Sequence, residues 1–243
     1  QMLQTNLRGE ITNLENGERK QLDIVPQIAR ALHLGSSKEV VAITTTVIPA
    51  LVCHAVSNND VKLLEQLKES GAAFSLVDCY GRNALHVATS GGHAAAVNFL
   101  IEQGVQINAQ DNCGYTPLMC AVRAAASIDF IAAIRAAGGI LGGNERQRVM
   151  ELCCAAQEGD IQMLRAFAAA GANLSAAGYE GRTPLHFAVA HNQVGVAEFL
   201  LSIPVDPKVE DLHGRTPLEE ARGLHVREIE KLLDQALAKW ATL

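Results

Sequence analysis

Aromatic side chains are scarce in this chain of 243 residues: they make up 4% of the sequence, although hydrophobic residues of all kinds reach 49%. So few aromatic residues argue against a β-sandwich, whose strands depend on aromatic and β-branched side chains. The abundant alanines instead favour small helices that pack closely together. Because only 19% of the residues are charged, we expect an ordered chain rather than a disordered one.

Long hydrophobic runs and basic stripes are also absent. No apolar stretch reaches the roughly 18 residues of a membrane span, and no secretory signal pattern is present. A net charge of −6 without a basic, aromatic-rich stripe argues against nucleic acid as a partner. We therefore expect a cytoplasmic chain that binds neither membrane nor nucleic acid. Because the chain begins with Gln1, we also expect it to be a fragment.

The sequence lacks the motifs of several kinds of active site. It contains neither the Gly-x-Ser-x-Gly nucleophile motif nor a phosphate-binding glycine loop, and its cysteines form no Cys-x-x-Cys pair. We expect no metal and no cofactor, and we interpret the cysteines as small buried residues. The run Thr44 to Thr46 has no recognisable lysine or aspartate partner, so a helix surface or cap is a better interpretation than a nucleophile. The six cysteines are Cys53, Cys79, Cys113, Cys120, Cys153 and Cys154.

A repeat of 33 or 34 residues runs through most of the chain and decides the expected fold. A second column of turn-forming residues keeps the same spacing and contains four glycines followed by Pro204. Two columns in register indicate a repeat protein rather than a chance match. The first column consists of Leu51, Leu85, Leu118, Leu152, Leu185 and Leu218, and the glycines are Gly71, Gly104, Gly138 and Gly171.

Each repeat carries a short motif, which residues 181–186 spell as Gly-Arg-Thr-Pro-Leu-His. Threonine caps the exposed amides at a helix start, and proline fits the first helical turn. The motif resembles that of the ankyrin family, which implies an all-α solenoid of about six helix-turn-helix repeats. The same resemblance implies that the histidine ring ties the Thr-Pro turn to a neighbouring backbone. The motif residues are Leu85, His86, Thr116, Pro117, Thr183, Pro184, His186, Thr216 and Pro217.

The expected organisation has four parts: a linker or tether at 1–20, a helical N-terminal cap at 21–46, the repeats at 47–237 and a tail at 238–243. The fourth repeat is irregular, because it has no Thr-Pro pair and instead follows two Gly-Gly pairs. We predict a mobile joint near residues 138–148. An ordered but unusual loop is the alternative interpretation of the same glycines.

Binding is the expected activity of such an array, because repeat proteins present loop tips and first helices to their partners. Tyrosine and arginine, which anchor many interfaces, recur at the expected tips. The competing explanation is that tips must be polar and exposed in any case. The candidate partner-binding residues are Tyr80, Arg82, Asn112, Tyr115, Tyr179, Arg182, His213 and Arg215.

A closer resemblance comes from residues 6–12 (Asn-Leu-Arg-Gly-Glu-Ile-Thr) and 47–53 (Val-Ile-Pro-Ala-Leu-Val-Cys), together with the irregular repeat around 151–153 and the later segment 178–181. These segments are similar to the C-terminal ankyrin region of animal cytosolic L-asparaginases, also named lysophospholipases. That family hydrolyses asparagine in an N-terminal domain.

None of the family's catalytic threonine motifs matches a position in this chain. The resemblance therefore implies a non-catalytic appendage that serves protein interaction, stabilisation or regulation, and we expect the fragment itself to be monomeric. Its partner would be another protein or the catalytic domain of the same polypeptide. An independent ankyrin adaptor is the alternative hypothesis.

Overall fold

The computed structural model describes residues 48–240, and within that range it contains 12 α-helices and no strand. The helices follow one another as six pairs. The described residues divide into two compact units, 48–106 and 107–240. The all-α ankyrin architecture predicted from the repeat is confirmed.

The described part of the first unit holds two helix pairs. They are α1 (Ile48–Ser57) with α2 (Val61–Glu69), and α3 (Ala84–Ser90) with α4 (Ala94–Glu102). Helix α1 packs on α3 and helix α2 on α4, so the two pairs stack. The column residues Leu51 and Leu85 are buried between them. Phe74 and Phe99 meet edge to face beside this core, with their ring centroids 5.6 Å apart.

The second unit holds four helix pairs. Along it, α7 packs on α9 and α9 on α11, while α8 contacts α6 and α10, and α10 contacts α12. The pairs are α5 (Pro117–Arg123) and α6 (Ile128–Ala136), α7 (Glu145–Glu158) and α8 (Ile161–Ala169), α9 (Pro184–Ala190) and α10 (Val194–Ser202), and α11 (Pro217–Gly223) and α12 (Arg227–Trp240). Leu118, Leu152 and Leu185 are fully buried, whereas Leu218 of the final pair is half-buried.

Side-chain caps explain where the first helices begin. The hydroxyl of Thr116 accepts the Met119 amide, and the hydroxyl of Thr216 accepts the Glu219 amide. Asn83 replaces threonine and caps α3 in the same way, because its Oδ1 accepts the His86 N–H. Each cap satisfies a backbone donor that the helix itself leaves unpaired.

Glycine explains where the second helices end. Gly71 lies just beyond α2 with φ of 80°, in the left-handed region that costs glycine little. There its N–H donates to the Lys68 carbonyl, and the following Ala72 N–H donates to the Leu67 carbonyl. These two bonds form the Schellman pattern, which closes the helix and turns the chain towards the next repeat.

The last helix crosses residue 237, where we predicted that the repeats end. Helix α12 continues to Trp240, three residues past the expected end of the repeats at 237, so the tail predicted at 238–243 begins as helix. Ala238 and Lys239 are good helix formers, and no proline or glycine interrupts them. The predicted tether at 1–20 and cap at 21–46 lie outside the described residues.

The glycine-rich segment before α7 is held by hydrogen bonds. The Thr116 hydroxyl donates to the Ile140 carbonyl and accepts the Gly142 N–H. Asn108 bonds both the Ile140 N–H and the Gly138 carbonyl, and Arg148 donates to the carbonyls of residues 142 and 143. These bonds favour the ordered loop over the mobile joint that we predicted near residues 138–148.

Candidate protein-interaction surface

Three hairpin tips share a turn built on an aspartate, which belongs to neither the leucine column nor the glycine column of the repeat. Asp78, Asp111 and Asp211 stand three residues before a motif glycine, and each carboxylate accepts two backbone N–H groups at 2.8–3.0 Å. Two donors to one oxygen fix the direction of each tip. The Asp-x-x-Gly spacing was the available sequence signal for these turns.

The same donors lower the pKa of two of these aspartates. Burial alone raises the pKa of Asp78, but the amides of Arg82 and Tyr80 and the Arg82 guanidinium outweigh it. For Asp211 the largest cause is the Arg215 amide, followed, against a smaller opposing effect of burial, by the His213 amide and the Arg215 charge. Both carboxylates are therefore ionised near neutral pH, which the turn requires.

Tyr80 and Arg82 form one tip in the first unit. The Arg82 guanidinium lies 5.1 Å from the centre of the Tyr80 ring and also pairs with Asp78 at 2.8 Å. Tyr80 remains 63% exposed. The tip therefore presents a flat aromatic face whose position is fixed by its own turn.

Asn112 and Tyr115 form the next expected tip, which belongs to the second unit. Asn112 is exposed, whereas Tyr115 is half-buried. The Tyr115 hydroxyl accepts the Gln147 amide at 2.5 Å, and the Arg123 guanidinium lies 5.0 Å from its ring centre. Tyr115 thus packs within the unit and offers a partner less surface than Tyr80 does.

We predicted Arg182 as a tip residue that binds a partner, but its side chain lies largely buried between repeats. Its guanidinium contacts both carboxylate oxygens of Glu220 at 2.7 and 2.8 Å and lies 5.2 Å from the centre of the Phe187 ring. Its side chain is only 16% exposed and that of Glu220 only 8%. The pair joins two successive repeats, so Arg182 has a structural position that the sequence did not reveal.

Tyr179 and His213 occupy neighbouring tips of the second unit. Gly178 stands where the other tips have aspartate, and a short 3-10 turn covers Tyr179–Gly181. Tyr179 is 79% exposed, and the exposed His213 ring lies 3.9 Å from the Glu180 carboxylate. Arg215 bonds Asp211 at 3.2 Å and stays half exposed.

The motif histidines lie in the interior and hold the turns together. The Nδ1 of His86 accepts the Asn83 N–H, and that of His186 accepts both the N–H and the hydroxyl of Thr183. The Nε2–H of His186 donates to the Arg215 carbonyl of the next repeat at 3.1 Å. Burial lowers the pKa of His186, although the Arg215 carbonyl and the charges of Glu220 and Asp211 raise it, so the ring is neutral.

Helix α7 supplies surface residues that the sequence reasoning missed. Met150 is 60% exposed, and the exposed Cys154 lies one turn further along the same side of the helix. The missing Thr-Pro pair left the start of this helix without a prediction. The usable signal was Asn144, whose side chain caps α7 by accepting the Arg146 N–H at 2.9 Å.

The cysteines only partly match the expectation of small buried residues. Cys153 is buried, and its burial, with the neighbouring Cys154 thiol, raises its pKa to about 12. Cys79 and Cys113 are exposed because they stand at hairpin tips, and Cys154 is exposed on the open side of α7. Within residues 48–240 no cluster of three or more His, Cys, Asp or Glu side chains has the geometry to hold a metal ion.

The sequence of the chain matches models of a known family. Models described as "Ankyrin repeats" match residues 52–138 and 152–201, and together these matches cover more than half of the chain. The chain belongs to the ankyrin-repeat family. Ankyrin repeats serve protein–protein interaction, so the family carries a binding role. No helix among the described residues is both long enough and apolar enough to cross a membrane.

The curated proteins that are similar to this chain include two different amidohydrolases by name. The chain is 40% identical over 228 residues to an L-asparaginase of Dirofilaria immitis, covering 94% of this chain and 38% of that protein. It is 37% identical over 94 residues to the mitochondrial glutaminase liver isoform of Rattus norvegicus, covering 38% of this chain and 16% of that protein. The chain thus spans much less than half of these curated relatives.

Solved structures support the ankyrin fold. An ankyrin repeat domain from Acinetobacter baumannii is 29% identical with a TM-score of 0.54, and the match covers 76% of this chain and 96% of that one. A chain from the complex of a predatory endopeptidase of Bdellovibrio bacteriovorus with an immunity protein is 23% identical with a TM-score of 0.55, covering 76% and 97%. The second likeness shows the fold alone.

Proposed function

We propose that this chain is the non-catalytic ankyrin-repeat region of an L-asparaginase and that it binds protein. The observation that carries the proposal is the 40% identity to the asparaginase of Dirofilaria immitis along 94% of this chain. That match extends well beyond residues 52–138 and 152–201, which the ankyrin models cover. It therefore also includes sequence that the general ankyrin models do not describe.

The described side chains support a binding role rather than catalysis. His86 and His186, the two buried histidines of the motif, each accept a capping N–H at Nδ1, and the Nε2–H of His186 donates to the next repeat. Tyr80 and Tyr179 instead place exposed aromatic rings at hairpin tips, where an interface gains most from them. Thr44 to Thr46, considered above as a nucleophile, lie outside the described residues.

The complete reading frame tests the attachment to an asparaginase. We expect it to encode an amidohydrolase domain, and we expect the full-length protein to release ammonia from asparagine while residues 1–243 alone do not. Deleting the repeats from the full-length protein should change its kcat/KM or its melting temperature, since an appendage stabilises or regulates. A frame without an amidohydrolase domain, or robust turnover by this chain alone, would overturn the proposal.

An independent adaptor is the second candidate. The observation in its favour is that similar repeats occur in proteins of unrelated kinds, including the potassium channel AKT2/3 of Arabidopsis thaliana at 25% identity over 92% of this chain. A frame that starts just before Gln1 would support the adaptor. In that case a pulldown with this chain should still recover a protein partner.

A further inference from the structure

Helix α7 is twice as long as the regular first helices. It has 14 residues, whereas α3, α5, α9 and α11 have seven each. The column leucine is the second residue of the regular helices and the eighth residue of α7. The six additional residues extend α7 at its N-terminal end by about 9 Å, into space that a hairpin tip occupies in a regular repeat.

This extension builds one wall of a groove that we call the α7 groove. Arg146, Met150, Cys154 and Gln157 follow one another at helical spacing along that wall. The opposite wall is the segment 176–180. The volume of the groove is about 1090 Å³.

Small residues keep the second wall low. It consists of Ala176, Ala177 and Gly178 before Tyr179 rises at its end. A Cβ atom at Gly178 would lie 3.2 Å from the Val149 Cγ1 and 3.5 Å from the Cys153 Sγ. Glycine therefore replaces the aspartate of the regular tips where the chain passes close to α7.

Three large exposed apolar side chains lie at or beside the α7 groove. Tyr179 is 79% exposed and Met150 60% exposed, and both line it. Leu212, 78% exposed, stands on the adjoining tip, whose backbone N–H donates to the Glu180 carbonyl at 2.8 Å. Exposed apolar residues gathered in this way mark a contact surface, and a flexible methionine adapts to the side chain that it meets.

The charges of the groove favour a basic partner. Glu145 and Glu180 line it, and Arg146 is the one cation among the described residues that do so. Glu180 is held at φ of 57° in the tip, with the half-exposed carboxylate facing His213. Two carboxylates beside an apolar strip complement a lysine or arginine that flanks an apolar side chain.

We propose that the α7 groove binds a segment of a partner protein in which a bulky apolar residue stands next to a lysine or arginine. The apolar residue packs between Met150 and Tyr179, and the basic residue lies near Glu145 and Glu180. This proposal rests on the protein-binding role proposed above and assigns it to one surface. The groove depends on the irregular fourth repeat, so an array of regular repeats would lack it.

A phage-displayed library of random 12-residue peptides, selected on residues 1–243, supplies a defined probe. Enriched peptides should combine an apolar residue with lysine or arginine, and fluorescence polarisation should measure their affinity for each variant. Met150→Asp and Tyr179→Ala should each weaken binding by about tenfold or more, as loss of a central anchor does. Leu224→Ala, at an exposed apolar residue that does not line the groove, is the control and should change it less than about twofold.

Charge reversal separates the basic contact from the apolar one. Glu180→Lys should weaken the affinity for basic peptides by about fivefold. The affinity that remains should depend less on salt concentration than that of the wild type. Glu198→Lys, at an exposed site on α10, is the control and should have no effect. Circular dichroism should show unchanged helicity for every variant, and Met150→Gln replaces Met150→Asp if that variant unfolds.

Three results would overturn the groove assignment: selection of acidic peptides, binding that Met150→Asp leaves intact, or failure of the library to yield any binder. Peptides that lose affinity with Tyr80→Ala instead would move the site to another tip while leaving a protein-binding role in place. The asparaginase attachment is judged separately by the reading frame and the activity assay. Failure of the one is therefore distinguishable from failure of the other.

Discussion

The fourth and fifth repeats lie side by side in the second unit, yet different neighbours hold their first helices. One helix is bonded to the segment that precedes it and the other to the repeat that follows it. Helix α9 is short and is held by the repeat that follows it, through His186 to the Arg215 carbonyl and through the Arg182–Glu220 pair. Helix α7 is long and is held by the loop that precedes it, through Arg148 and the carbonyls of residues 142 and 143. The side chains of the regular motif thus bond the next repeat, whereas the irregular repeat exposes one face of its first helix.

The largest expected effect comes from breaking the forward tie of the fifth repeat. Arg182→Met keeps a stem that stacks on Phe187 but leaves the Glu220 carboxylate largely buried without its partner. We expect the free energy of unfolding in urea to fall by about 3 kcal/mol, at the lower end for a buried pair because Arg182 keeps some exposure.

The matched control is Arg222→Met. Arg222 pairs with Glu230 and Asp234 on the exposed face of α12, both at 3.2 Å, and such surface pairs contribute less than about 1 kcal/mol. Equal losses in the two variants would show that the Arg182–Glu220 pair does not tie the repeats together.

The contrast between these two repeats also explains what the sequence could predict. The leucine column marks buried positions, so the six helix pairs followed from spacing alone. Thr183 and Pro184 likewise fixed the start of α9 at the correct residue. Local chemistry that recurs at a constant interval is therefore readable without a structure.

The candidate site was less predictable, for two physical reasons. Arg182 looks like a tip residue in sequence, but its partner Glu220 lies 38 residues away and only the stacked fold brings them together. Met150 was missed because the start of α7 depends on a single asparagine cap and not on the Thr-Pro signal. Contacts distant in sequence and irregular helix starts are what the repeat pattern does not contain.

The loop before α7 offers a test of intermediate size. A Cβ atom at Gly142 would lie 2.6 Å from the Thr116 Cγ2 and 2.8 Å from the Gly114 carbonyl oxygen, so Gly142→Ala forces a backbone shift. We expect a loss of about 2 kcal/mol in urea unfolding, typical of overpacking. Gly138→Ala meets no atom within 4 Å and strains only a φ of 96°, for a loss of about 1 kcal/mol.

A mobile joint would give a different result from these two alanine variants. A loop without fixed contacts has room for either methyl group, so neither variant would lose stability. If both variants lose a negligible amount of unfolding free energy, the mobile joint is the correct interpretation and the loop does not support α7. Amide exchange at Gly142, whose N–H donates to the Thr116 hydroxyl, provides a second measurement: protection is expected in the wild type.

The smallest expected effect is the contribution of the buried His186 ring to the pH dependence of stability. Burial lowers the folded pKa of His186 below its ordinary 6.5, so the unfolded chain binds more protons than the folded one as the pH falls through that value. Stability should therefore be complete above about pH 6.5 and decrease towards pH 5, with a slope of at most about 1.4 kcal/mol per pH unit. The lowered pKa values of Asp78, Asp211 and Glu219 mean that these carboxylates lose their contribution to stability only at lower pH.

Two histidine variants test this pH dependence. His186→Gln should flatten the plot of unfolding free energy in urea against pH below about pH 6.5, whatever the variant's absolute stability. His191→Gln, at the exposed end of α9, should leave the slope unchanged. If both variants keep the wild-type slope, the buried ring, whose Nδ1 must give up the Thr183 N–H on protonation, is not what couples the fifth repeat to pH.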